Sequence, residues 1–562
     1  MAALVAPTAA VSVVVDAWLT GKGCAWLATG RWPGLSLGGG LAFAFRLVGR
    51  PGDPSGDWRA VTGGRWGPSA GPFYALLVAL PAAGAALLTG AISAVSRRRP
   101  VPRLGPPRPA RRGSLARRRR WAPDRAGRWA TVRDLRPLVV RRAAPGRVVL
   151  GRHGRGLVAG EAGHSVLVVG PTQTYKTSGL VVPALLEWEG PVLAASVKSD
   201  LARVTAGWRE RRGRAWVFDP TATTGLPAAR WSPLGEAANW AGAQRMAAWL
   251  CESGRSAMED GDFWYATAQK LLAPLLLAAS VGARTMADVV RWVDEQEVAE
   301  VAGILDEAGE EDALRAAEAT WRREPRQRGS VFTTAETVLA AFADPAVARA
   351  TESCDIAPDA VLDGGWHSLY LCAPSHEQDR MRPVFTALVQ QIVRRAYALS
   401  ASGAAPLDPP LLVVIDEAAH VAPLADLDRT AATAAAHGIQ LVTVWQDLAQ
   451  VAARYGARAA TVVNNHRARL VLSGVADAPT LEQISRLAGE AEVPASSVTT
   501  ARDGGRSTTA SHERRPLLAP GALRRLPPGD AVLLYGHLPP ARVRLRPWFQ
   551  DPALARRGQA AR

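Results

Sequence analysis

Lysine is almost missing from this chain. The 67 Lys and Arg residues include only four lysines, Lys22, Lys176, Lys198 and Lys270. Arginine, alanine, glycine and proline are abundant together, as a coding bias would make them. A lysine that survives such a bias is a candidate for work that a planar guanidinium cannot do. Cysteine is scarce as well. Cys24, Cys251, Cys354 and Cys372 stand far apart and never in a CxxC spacing. That spacing argues against a disulfide framework or a zinc site and predicts four buried small hydrophobes in a reducing compartment. Acids are outnumbered, and the formal net charge of +17 points to an anionic partner, nucleic acid or lipid head groups. Eleven arginines and no acid fall between Ser96 and Trp121, so much of the excess sits in one run.

Charge is absent altogether from Pro72 to Ser96, a stretch long enough to cross the hydrocarbon of a bilayer as a helix. The arginines that follow at once put its C-terminal side in the cytoplasm. A weaker run, Ala2 to Leu19, is interrupted by Asp16. Together they predict a multi-pass protein of the cytoplasmic membrane. Residues 1–96 form the anchor and 97–148 a basic juxtamembrane linker drawn to anionic membrane lipid.

The remaining length carries a nucleotide signature. After the apolar run Ser165–Val169 comes GPTQTYKTSG, followed by helical spacing from Leu180. Gly170, Lys176 and Thr177 stand at the first glycine, lysine and hydroxyl positions of a phosphate loop, GxxxxGK[ST]. In such a strand–loop–helix turn the backbone N–H groups and the helix dipole face phosphate oxygens. The expected nucleotide-binding set is Gly170, Thr172, Thr174, Tyr175, Lys176, Thr177 and Ser178, with ATP and Mg²⁺ as cofactors and Thr177 on the metal. Tyr175 departs from the pattern by replacing the second glycine, which puts rapid turnover in question. A second apolar run, Leu411–Ile415, ends in Asp416-Glu417. It reads as a central parallel strand covered on both faces, whose C-terminal acids fall where open α/β sheets bind ligands. Asp416 is the expected Mg²⁺ ligand and Glu417 the residue that polarises water. Gln446, after the run Ile439–Trp445, is the expected γ-phosphate sensor and the second catalytic residue.

These segments, with VFDPT at 217–221 and RYGARAATVVNNHRARLVLSG at 454–474, resemble the type IV secretion and conjugation coupling proteins, particularly the actinobacterial ones, from about Val149 to Phe549. The resemblance implies a RecA-like P-loop NTPase: an α/β fold with a mostly parallel sheet, an inserted all-α domain and N-terminal transmembrane helices. The nucleotide-binding domain would occupy 149–234 and 351–550, the all-α substrate-recognition insertion 235–350, and a basic tail 551–562. The implied activity is ATP hydrolysis that delivers DNA, single- or double-stranded and relaxase-bound, or protein substrates to a type IV secretion channel. The implied assembly is a homo-hexamer in contact with relaxosome and channel components. Such a ring uses an arginine in trans, for which Arg454, Arg458, Arg467 and Arg469 are candidates. A catalytically weak docking platform for DNA-processing complexes and a septal-type double-stranded DNA translocase are the alternatives.

Overall fold

Runs of Val, Leu and Ile that leave neither face for water build the main sheet of this protein, described here from a computed structural model. It describes residues 18–28, 30, 39, 42–44, 46–47, 51–63, 66–77, 127–252, 261–403, 405–421, 424–500 and 506–559. The chain divides into two units, Met1–Arg120 and Trp121–Arg562.

In the first unit the helix Pro54–Thr62 starts at Asp53, whose carboxylate accepts the Gly56 N–H at 2.8 Å. Phe43 meets Trp58 and Phe73 edge to face, with ring centroids 5.0 and 5.8 Å apart. No helix among the described residues is long and apolar enough to cross a membrane. This overturns the expected multi-pass membrane protein. Only residues 72–77 of the Pro72–Ser96 run and 18–19 of the earlier one are described, far short of the about 20 residues a span requires. Residues 2–17 and 78–96, and the arginine run after them, lie outside the described residues.

The second unit is built on one sheet. Its strands are β1 (Val139–Val140), β2 (Val149–His153), β3 (Gly156–Ala159), β4 (Val166–Val169), β5 (Val192–Ser196), β6 (Ala215–Phe218), β7 (Ser368–Cys372), β8 (Leu411–Ile415), β9 (Ile439–Trp445) and β10 (Ala468–Leu472). A separate pair, β11 (Glu490–Thr500) and β12 (Arg506–Pro516), precedes β13 (Asp530–Tyr535) and β14 (Ala541–Arg544). The sheet order is β1-β3-β2-β14-β13-β10-β4-β9-β8-β5-β7-β6. From β10 to β6 every pairing is parallel, and the strands on the other side of β10 are antiparallel. Strands β4, β5, β7, β8 and β9 are buried at every residue, which is why they read as unbroken apolar runs rather than alternating ones. Alternate residues feed two cores. Leu167, Val169, Leu193 and Ala195 face one, while Val166, Val168, Val192 and Ala194 face the other.

Between β6 and β7 the chain forms helices, from Trp240–Glu252 to Pro358–Val361. They pack on the first core through residues such as Leu250, Leu275, Trp292 and Phe332. The helix Met286–Asp294 opens with a capping box, in which Thr285 and Asp288 each accept the other's backbone N–H.

Arg209 ties strand beginnings together from the inside. Arg209 is 1% exposed and has no carboxylate partner among the described residues. It donates to the carbonyls of Trp188 and Gly190 at 2.6 Å each, to Trp366 and His367 at 3.1 and 3.3 Å, and to the Ser368 hydroxyl at 2.7 Å. Burial pulls its pKa down to about 10, which still leaves it charged at neutral pH. Arg209→Met keeps most of the volume but strands these acceptors. A loss of about 3 kcal/mol or more is expected in urea unfolding, from the cost of burying unpaired carbonyls.

Three local expectations are corrected. The Ser/Thr/Gly/Arg composition of 496–515 predicts a loop, either facing a ring pore or forming a mobile surface connection; instead 496–500 and 506–515 belong to the paired strands β11 and β12, registered from Glu490↔Pro516 to Thr500↔Arg506, while 501–505 lie outside the described residues. The basic composition after Pro552 predicts a disordered tail, but residues 552–559 form the helix Pro552–Gln559 with Leu554 buried. Of the cysteines, Cys354 is exposed and only the other three are buried.

Candidate functional site

Pro183 shapes the site although it touches no ligand position. Proline has no N–H to give to the carbonyl one turn back. Here the helix begins with a wider π turn over Thr177–Val181 before continuing as Val182–Glu187. The Val182 N–H reaches back to Thr177 O, so the carbonyls of Ser178 and Gly179 are spared their usual partners. Two N–H groups from the C-terminal segment take them, Trp548 on Ser178 O at 2.9 Å and Arg546 on Gly179 O at 3.1 Å. Arg546 then closes the clamp. Its guanidinium is 5% exposed and lies 2.9 Å from both oxygens of Glu187 and 3.0 Å from Asp551. Pro183→Ala, which restores the missing donor, is expected to loosen this docking. Faster amide exchange at Arg546 and Trp548 than in wild type would register it.

The loop before this helix bends through left-handed backbone. Gln173 and Tyr175 have φ of 63° and 65°, a region that costs a non-glycine residue roughly 1–2 kcal/mol. Tyr175 therefore occupies the conformation a second glycine would provide. Its ring packs on the second core and lies 6.4 Å from that of Phe549. Thr174 donates to Pro171 O at 2.8 Å. Lys176 is buried and its ammonium donates to Gly170 O and Pro171 O, each at 2.6 Å. Burial lowers the Lys176 pKa, while the carboxylates of Asp416 and Glu417 work the other way.

The acid pair meets this loop across the sheet. Strand β8 ends at Ile415, and Asp416 turns inward with 2% exposure. One of its oxygens accepts from the Thr177 hydroxyl at 2.8 Å and the Ser196 hydroxyl at 3.3 Å. Its other oxygen, Oδ1, is buried without a protein partner. Burial raises the Asp416 pKa, opposed by the Thr177 hydrogen bond and the Lys176 charge. An oxygen-only set of a hydroxyl and a buried carboxylate, with one oxygen free, fits a hard divalent cation. Glu417 follows with φ of 63°, held there because Ala418 N–H binds Val444 O at 2.9 Å while Glu417 O accepts from His420 at 3.0 Å.

A cleft of about 700 Å³ collects these groups. Thr172, Thr174, Tyr175, Lys176, Thr177, Ser178 and Glu417 line it. Gly170 and Asp416 lie behind that wall; a Cβ at Gly170 would sit 2.9 Å from Leu472. Gln446 directly follows β9, which lies beside the acid strand; its N–H is on Gln450 Oε1 at 3.0 Å, and it is not among the lining residues. Lys198, Asp200, Val204 and Trp548 also line the cleft. Lys198 and Asp200 follow the end of β5, the strand end at which a parallel sheet places its ligands. Trp548 carried no signal, since its place depends on a contact across 370 residues.

A phosphate loop after β4, an acid pair after β8 and β9 inserted between them define a RecA-like P-loop NTPase with an additional strand. The family model for type IV secretory system conjugative DNA transfer matches residues 137–561, and the chain belongs to that family. Conjugal transfer protein TraG of Escherichia coli is 28% identical over 440 residues, covering 70% of this chain and 68% of the relative. Protein VirD4 of Rhizobium rhizogenes is 25% identical over 419 residues, covering 72% and 61%. The fold is that of the bacterial conjugative coupling protein TrwBdeltaN70, with a TM-score of 0.59 and 22% identity over 75% of this chain and 93% of that one. A structure of plasmid coupling protein TrwB in complex with ADP and Mg²⁺ is similar at a TM-score of 0.58 and 21% identity over 75% and 94%.

Proposed function

We propose that this chain is the ATP-hydrolysing coupling protein of a conjugative system, passing a relaxase-bound DNA strand or a protein substrate to a type IV secretion channel as a homo-hexamer. The observation that carries the reading is the cleft in which Lys176 and Thr177 meet the Asp416–Glu417 pair. Lys176 binds the β and γ oxygens, and the N–H groups of the helix start, with Ser178, orient the α and β phosphates. Thr177 and Asp416 would hold Mg²⁺, which neutralises phosphate charge when bound. Glu417 orients and deprotonates the attacking water, and Gln446 senses the γ-phosphate from the neighbouring strand. The helices between β6 and β7 receive the substrate complex. Lys176→Ala is expected to weaken ATP binding, measured by calorimetry on the full chain. Unchanged affinity would remove the phosphate loop from the account.

One observation favours a second reading, the docking platform of low turnover. Tyr175 brings both a strained backbone and a ring to the loop where glycine would bring neither. Tyr175→Gly is expected to relieve about 1 kcal/mol of backbone strain while giving up the ring's packing on Phe549. Hydrolysis higher than in wild type would show that the tyrosine restrains turnover. Equal or lower hydrolysis would show that the loop works with it in place.

A further inference from the structure

The sheet edge opposite the phosphate loop carries a basic groove. A cleft of about 600 Å³ opens where β4 and β10 begin, lined by His164, Asn464, Asn465, Arg467, Arg469 and His537 among others. Among the described residues no carboxylate lines it. His537 also lines a neighbouring cleft of about 630 Å³, but there Glu490 shares the wall, Arg128 is paired with Asp134 at 2.6 Å and Arg514 lies 3.9 Å from Glu492, so the free positive charge belongs to the first cleft.

The arginines are set by buried structure. His466 is fully buried, its Nδ1 donating to Val462 O at 2.7 Å and its Nε2 accepting from the Thr443 hydroxyl at 3.1 Å. It anchors the turn from which the next residue, Arg467, leaves. Arg469 donates to His466 O at 3.1 Å. Gly536 has φ of 51°, and a Cβ there would lie 3.0 Å from the Arg467 guanidinium, so glycine lets that group rest against the backbone. Arg458, on the same segment, is neutralised by Asp428 at 3.2 Å. Arg467 is exposed and forms no ion pair with a described acid. Burial, the Arg467 charge acting with it and Glu161 against it, keeps the His164 imidazole below its usual pKa.

We infer that this edge is a groove for the backbone phosphates of a nucleic-acid strand, with Arg467 and Arg469 supplying charge and the Asn464 amide a hydrogen-bond donor. Guanidinium and amide side chains are the groups that reach phosphate oxygens in such interfaces. The inference rests on the coupling-protein reading for its ligand class alone.

The test is the anisotropy of a labelled single-stranded oligonucleotide titrated with full-length chain at several salt concentrations, with wild type, Arg467→Ala, Arg467→Lys and Arg467→Glu. One lost phosphate contact lowers the slope of log K against log salt by roughly 0.7, which is about fivefold in Kd at 0.1 M salt. Arg467→Ala is expected to show that loss for any base sequence. Arg467→Glu should lose more, and Arg467→Lys should stay near wild type because a point charge suffices. ATP binding should be the same in all four. Unchanged Kd and slope in Arg467→Glu, with wild type binding well, would overturn the groove and leave the coupling reading standing. Wild type that binds no oligonucleotide would overturn both. ATP hydrolysis that collapses in Arg467→Ala and Arg467→Lys while oligonucleotide binding stays intact would also overturn the groove, assigning Arg467 to the nucleotide of a second copy.

Discussion

Glu417→Gln is expected to lower ATP hydrolysis by about 10²–10⁴-fold while leaving ATP affinity near wild type, the range general-base removal produces. Glutamine keeps the size of the side chain and its place on the wall of the cleft but can no longer take a proton. The backbone makes the experiment discriminating. Glu417 sits at a φ of 63°, where a non-glycine residue carries roughly 1–2 kcal/mol of strain. Strain of this kind persists when the surroundings over-determine it, and it clusters at functional sites. Glu417→Gly should therefore fold at least as stably as wild type by thermal unfolding and still be inactive. If Glu417→Gln hydrolysed ATP at the wild-type rate, the carboxylate would be a structural feature of the turn.

Arg546→Ala is expected to cost about 3–5 kcal/mol of stability, the usual consequence of removing one partner from a buried ion pair. The side chains of Glu187 and Asp551 are 11% exposed each, so both would be left as poorly solvated carboxylates. The effect should reach the site, because the same segment carries Trp548 along the phosphate-loop helix. Weaker ATP binding is expected alongside the lower melting temperature. Arg546→Lys should recover little, since one ammonium cannot reproduce the bidentate contact with Glu187. A pH dependence follows. Burial raises the Asp551 pKa, and hydrogen bonds and charge from Arg546, with Arg152, more than reverse this and leave it below its usual value. A carboxyl depressed in the folded state contributes stability above its unfolded pKa, near 4. That contribution is lost as pH falls through the folded value. Wild type should thus lose stability more steeply than Arg546→Ala below about pH 4. Parallel acid-unfolding curves would contradict the clamp.

The sheet was legible because its central strands are buried on both faces. Leu411–Ile415 and Ile439–Trp445 have the same bounds in sequence and structure, and the acids at 416–417 follow from where such a strand ends. The phosphate loop was legible through one scarce lysine in a strand–helix setting. The rest depends on distant partners. The Arg546 clamp and Trp548 reach the loop helix across some 370 residues, and the π turn that admits them has only Pro183 as its local sign. Tyr175 departs from the loop pattern in sequence, while its left-handed backbone follows from the loop's path and from no feature of the tyrosine. Arg209 was invisible among so many arginines, because what distinguishes it is a ring of carbonyls from separate strand edges. The candidate sensor Gln446 is at the predicted strand end, yet adjacency in the sheet did not bring it to the cleft wall.

The most direct test of the account is ATP hydrolysis by the full-length chain with and without single-stranded DNA, alongside Lys176→Ala. The account predicts magnesium-dependent hydrolysis that DNA stimulates and that Lys176→Ala abolishes. Hydrolysis that Lys176→Ala leaves untouched, or a wild type silent with DNA present, would contradict it.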